Sequence, residues 1–222
     1  MDAIKPKKSL VEETYDILVD AICTREFLPG ERLNQDEIAT RLKVSRQPVN
    51  SAIAILKSEQ LVEDTGRRGV VVSALDPDFF RSLFEYRQLV EPFAARLATV
   101  RQPADAALTA REILDRGREA AAKNDMRALL VADRDFHEMI YRWSGNLVIQ
   151  TSMRTNWNHI RRAMAEVLSD PAKAGPIWDE HEAIVDALLA GQSDQAADRM
   201  TQHIRSAYDR NMSPVFGAEE AS

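Results

Sequence analysis

The sequence predicts a mainly α-helical chain in two parts. Three helices closed by a β-hairpin form a small N-terminal unit (residues 1–73), and an all-α bundle of six or seven helices follows (residues 74–222). Three observations carry this. The 222 residues suit two domains at roughly 100–200 residues each. Composition is 45% hydrophobic and 29% charged, which is globular rather than disordered. With 8 Gly and 9 Pro the segments between breaks are long and rich in Ala, Leu, Glu and Arg, a helical vocabulary.

Taken in order, the first helix runs from about Ser9 to Arg25, because Leu10, Thr14, Ile17, Leu18, Ala21 and Ile22 recur at helical spacing before Pro29-Gly30 stops the chain. Asn34 caps a second, short helix, with Glu37 as the other half of a capping box and Ile38 and Leu42 turned inward. Ser45 caps a third, which turns Val49, Ile53 and Leu56 to one face; Pro48 is tolerated in its first turn. Then the period changes. Leu61-Val62-Glu63 and Val70-Val71-Val72 flank Gly66-Arg67-Arg68-Gly69, a hairpin with a basic tip. This order is that of a winged helix-turn-helix. Ser45, Arg46, Gln47 and Asn50 open the helix that would enter the major groove, and Arg67 and Arg68 would reach phosphate or the minor groove.

Charge distribution agrees. The net charge is −6, yet residues 41–75 hold 6 bases and 3 acids, a basic window inside an acidic chain. No apolar stretch approaches the roughly 20 residues of a membrane span, and the N-terminus has no apolar segment of a secretory signal. A single cysteine, Cys23, excludes an intrachain disulfide, so a cytoplasmic setting is expected.

Pro29-Gly30-Glu31-Arg32-Leu33, Val44-Ser45-Arg46-Gln47-Pro48-Val49 and Gly66-Arg67-Arg68-Gly69-Val70 resemble the DNA-binding domain of the GntR family of bacterial repressors. The resemblance adds Arg32 to the DNA-contacting set. Asn50 stands where the family usually has arginine, which implies an altered operator.

Past the linker Ala74-Leu75-Asp76-Pro77, helices are expected near 77–100, 103–123, 125–144, 147–168, 176–190 and 193–212. All four histidines fall here. At 100° per residue, Asp133 and His137 share a stripe with Leu129, Leu130, Phe136 and Ile140. His181 joins Ile177, Ile184, Val185 and Leu188, and His203 joins Ala196, Met200 and Ala207. His159 faces away from its helix's apolar side. An inward aspartate without a partner costs several kcal/mol or takes up a proton. A cation shared by Asp133, His137, His181 and His203 removes that cost, since Asp and His at i and i+4 project about 6 Å apart. One oxygen and three nitrogens suit Zn²⁺ first and Ni²⁺ second, and not calcium or magnesium. Periodicity does not bring the three helices together.

A second resemblance does. Asp133-Arg134-Asp135-Phe136-His137 with Ser144-Gly145-Asn146, Glu180-His181-Glu182-Ala183-Ile184 and His203-Ile204 are similar to the FCD effector-binding domain of the FadR subfamily. It implies a metal on the same four residues and a small organic acid beside it. Arg87 in Tyr86-Arg87-Gln88-Leu89-Val90-Glu91 matches a family arginine that faces the effector; the alternative is a surface i, i+4 pair with Glu91. The function implied is a homodimeric regulator of a double-stranded DNA operator, without enzymatic activity and without a membrane partner. A metal-dependent hydrolase on the bundle is the rival, and a purely structural metal a third reading.

Overall fold

The computed structural model describes residues 8–66, 69–168 and 170–216. The chain divides into two compact units, Met1–Leu75 and Asp76–Ser222.

In the first unit α1 (Leu10–Cys23), α2 (Gln35–Leu42) and α3 (Arg46–Ser58) precede β1 (Val62–Asp64) and β2 (Val70–Val72). The capping box of this unit is at Ser9, not Asn34. Glu12 N–H donates to Ser9 Oγ at 3.2 Å and Ser9 N–H donates to Glu12 Oε2 at 2.7 Å. Asn34 does cap α2 through Asp36 N–H, but Glu37 accepts from the Asn34 side-chain amide at 2.6 Å instead of the cap backbone. Ser45 occupies the N-cap of α3 with no side-chain cap bond. The strands pair antiparallel with Val62 opposite Val72, and Arg32 bridges to Val71 on the other side. Gly30, at φ +79°, turns the chain so that its N–H reaches Val72 O at 2.8 Å. Leu18, Ile22, Val49, Ile53, Leu56, Leu61 and Val72 close one core.

The second unit holds α4 (Pro77–Arg101), α5 (Ala106–Lys123), α6 (Met126–Trp143), α7 (Leu147–Val167), α8 (Ala174–Leu189) and α9 (Ser193–Phe216), with a 3₁₀ turn at Pro171–Lys173. Asp76, Asp125 and Asn146 cap α4, α6 and α7 through side-chain oxygens. Helix α8 begins before Pro176, which sits in its first turn, where a missing N–H costs nothing. Helix α4 packs along α9 and also meets α6 and α8; α5 pairs with α6 and α8.

The α5–α8 contact depends on Gly117. A Cβ built there would lie 2.1 Å from Trp178, which is itself fully buried. Gly117→Ala is therefore expected to destabilise this unit by about 1–3 kcal/mol or more through overpacking. Thermal denaturation should show it, with part of the loss restored when Trp178→Phe is added.

Candidate functional site

On the first unit, α3 buries Pro48, Val49, Ala52, Ile53 and Leu56 and leaves Ser45, Arg46, Gln47 and Asn50 exposed. The inward face is fixed by the core, so the polar residues at the helix start project outward together. With no side-chain cap, the first-turn N–H groups of α3 stay open to an anion such as phosphate. Arg46 pairs with exposed Asp36, and Gln47 Nε2 donates to Ser51 Oγ at 3.2 Å. Arg32 is exposed and its guanidinium passes close to Gly69 at the base of the hairpin turn. Arg67 and Arg68 lie outside the described residues.

In the second unit, α6, α8 and α9 bring His137, His181 and His203 together, all buried, with one ring nitrogen of each within 4.8 Å of the others. His203 Nε2 lies 3.4 Å from His137 Nε2. Asp133, one turn before His137, is buried at the edge of the cluster, its Oδ1 3.5 Å from His181 Nε2. Phe136 stacks on the His181 ring at 3.9 Å between centroids and fixes its plane.

Each of two imidazoles has a carboxylate behind it. His203 Nδ1 donates to Glu180 Oε2 at 2.7 Å, and Arg210 holds Glu180 with two bonds at 2.7 and 2.9 Å. Burial would raise the Glu180 carboxyl, but the hydrogen bonds from His203 and Arg210 prevail and hold it at about 2. His137 Nδ1 lies 2.7 Å from Glu91 Oε2, off the line of a ring N–H, so the two are close neighbours rather than a formed hydrogen bond. Burial would raise Glu91 too, but Arg87 and then His137 hold it down at about 2. Both carboxylates favour a proton on the Nδ1 beside them, and the two Nε2 atoms face each other at 3.4 Å.

Burial pushes His181 well below its ordinary range, with His203 and His137 adding to the effect. Burial also lowers His203 against the pull of Glu180. Both rings are thus neutral at pH 7 and present lone pairs. Neither nitrogen of His181 has a hydrogen-bond partner. Buried, unpaired, mutually facing acceptors are costly as they stand, and a cation among them removes the cost. Three buried imidazoles, one carboxylate and carboxylates behind two of the rings fit a borderline divalent ion.

Two expectations need correction. His159 does not face solvent: it is buried, its ring 4.7 Å from Phe79, yet it stays outside the imidazole cluster. Helix α7 also buries Arg161 and Arg162, so it is covered on more than one face. The Arg87–Glu91 pair is not at the surface. Arg87 Nε donates to Glu91 Oε1 at 2.5 Å with both side chains buried, and the guanidinium lies 4.7 Å over the Phe84 ring. Glu91, Glu180 and Arg210 lie outside the set of site residues that the sequence offers. Glu91 was visible only as the partner of Arg87.

Comparison with known proteins follows this division. Residues 10–72 match the model of bacterial regulatory proteins of the gntR family, and residues 82–206 match the FCD domain. The Nta operon transcriptional regulator of Aminobacter aminovorans is 28% identical over 86% of this chain and 90% of its own. An HTH-type transcriptional regulator from the TAR-I region of Agrobacterium vitis is 33% identical over 59% of this chain and 78% of its own. A crystal structure of a GntR regulator from Rhodococcus sp. RHA1 superposes with a TM-score of 0.79 at 28% identity, over 93% of this chain and 99% of that one. The relatives are named as regulators rather than enzymes. The chain belongs to the GntR family of bacterial regulatory proteins, as a DNA-binding transcription regulator with an FCD domain.

Proposed function

We propose that His137, His181, His203 and Asp133 hold a divalent transition metal, Zn²⁺ first and Ni²⁺ second, and that a small organic acid bound beside it sets operator affinity. The observation that carries the reading is the set of three buried imidazoles with one ring nitrogen of each within 4.8 Å of the others. A bound ion of this type supplies a Lewis-acidic position for a carboxylate oxygen. The four residues sit on α6, α8 and α9. The spacing of these helices is therefore what an occupant of the site reads and biases. Glu180 and Glu91 hold His203 and His137 in orientation, and Arg87, charged and buried, sets a positive field next to Glu91. The acid shifts the equilibrium between two arrangements only by its differential affinity for them. A homodimer reading a two-fold operator is the arrangement proposed for DNA.

The test is fluorescence anisotropy on an operator fragment with and without candidate acids. A ligand that binds the bundle and leaves DNA affinity unchanged sinks the coupling. For the DNA unit, Arg46→Ala should weaken operator binding at least about tenfold, equivalent to ~1.4 kcal/mol. Its ion pair with Asp36 is exposed, so thermal stability should hardly change.

A further inference from the structure

We propose that the groove between α6 and α7 binds a small carboxylate with an apolar body, at a place separate from the imidazole cluster. The proposal depends on neither the metal nor the reading above. Tyr141, Met153 and Trp157, all buried, make the floor, and Arg134, Glu138, Gln150 and Arg154 make the rim. The enclosed space between them is only about 30 Å³, and the groove opens to solvent above it. The occupant is therefore a small acid that lies partly in the open mouth.

What the lining leaves unpaired defines the occupant. Trp157 Nε1 and Arg134 Nε are buried without a hydrogen-bond partner, whereas the Tyr141 hydroxyl interacts with Glu91. Such groups cost about 1–3 kcal/mol each when left unmade. Arg134 spends one arm on Asp135 at 3.0 Å, while Arg154 is exposed and forms no ion pair among the described residues. An indole N–H and a guanidinium only donate. The ligand must therefore accept. Two guanidinium groups against the single carboxylate of Glu138 make the rim net positive, and their planar forks match a carboxylate. Ring faces and a thioether below then take an apolar body, which inorganic phosphate would leave uncovered. The floor backs onto the cluster, with the Trp157 and His137 rings 5.2 Å apart, but it offers no imidazole of its own.

The experiment is titration calorimetry of the full chain with benzoate and with benzamide, its uncharged counterpart, before and after treatment with a chelator. Benzoate should bind in both states, and benzamide at least about tenfold more weakly, a difference of ~1.4 kcal/mol. Arg154→Gln should lose at least the same factor for benzoate with an unchanged melting temperature, since the side chain is exposed. Absence of benzoate binding at millimolar concentration, equal binding of benzamide, or an Arg154→Gln isotherm identical to the parent would each overturn the site. Binding lost on chelation would also overturn it, by assigning the acid to the imidazoles, and would leave the proposed metal-linked sensing standing.

Discussion

Glu91→Gln is expected to destabilise the C-terminal unit by about 3–5 kcal/mol, the cost of stripping one partner from a buried ion pair. The carboxylate is fully buried between Arg87 on one side and His137 on the other. Glutamine keeps the volume and removes the charge. Arg87 then remains cationic, buried against Phe84 and Trp157, and cation–π attraction of about 2 kcal/mol offsets only part of the loss. The converse control separates charge from packing: Arg87→Met with Glu91→Leu should be close to neutral, because removing both ions removes the desolvation cost with them. Trp143, Trp157 and Trp178 are the chain's three tryptophans and all lie in this unit. Denaturant titration followed by tryptophan fluorescence therefore reads it without interference. A Glu91→Gln loss below about 1 kcal/mol would place the pair in solvent-like surroundings.

That same pair marks the limit of what the sequence reveals. Arg and Glu at i and i+4 are the ordinary sign of a solvated helix face, and nothing local says that α4 is covered there by α6, α7 and α9. Histidine facing was more legible, because His137, His181 and His203 each sit in a stripe of buried apolar residues on an otherwise polar helix. The argument failed at His159 because it assumes one covered face per helix, and α7 has more than one. Glu180 was hidden for another reason: its partners His203 and Arg210 come from α9, a non-local contact that periodicity cannot supply. Helix ends in the bundle were readable where Asp or Asn caps or a proline break fixed them. In the first unit the capping-box spelling occurs at both Ser9 and Asn34. Only Ser9 closes it, because the Glu37 carboxylate binds the Asn34 amide instead of the cap backbone.

Substitution of the imidazoles should give the largest effect on metal affinity, graded by distance from the ion. His181→Ala removes a ring with no other hydrogen-bond partner, so metal affinity should fall by more than the ~10–100-fold typical of losing a supporting residue. Glu180→Gln keeps all three imidazoles but loses the charged acceptor that holds Nδ1 of His203, and should fall within that ~10–100-fold range. His159→Ala lies outside the cluster and should leave affinity unchanged. Competition against a chromogenic chelator with Zn²⁺ and with Ni²⁺ measures all three. The parent chain should also gain thermal stability on adding metal, by about 4 kcal/mol at a thousandfold excess over Kd, and His181→Ala should not. Equal affinity for His181→Ala and His159→Ala would mean that the imidazoles gather for packing alone. In that case the unshared nitrogens of His181 would have to be satisfied by water, and chelator treatment would leave the melting curve of the parent where it began.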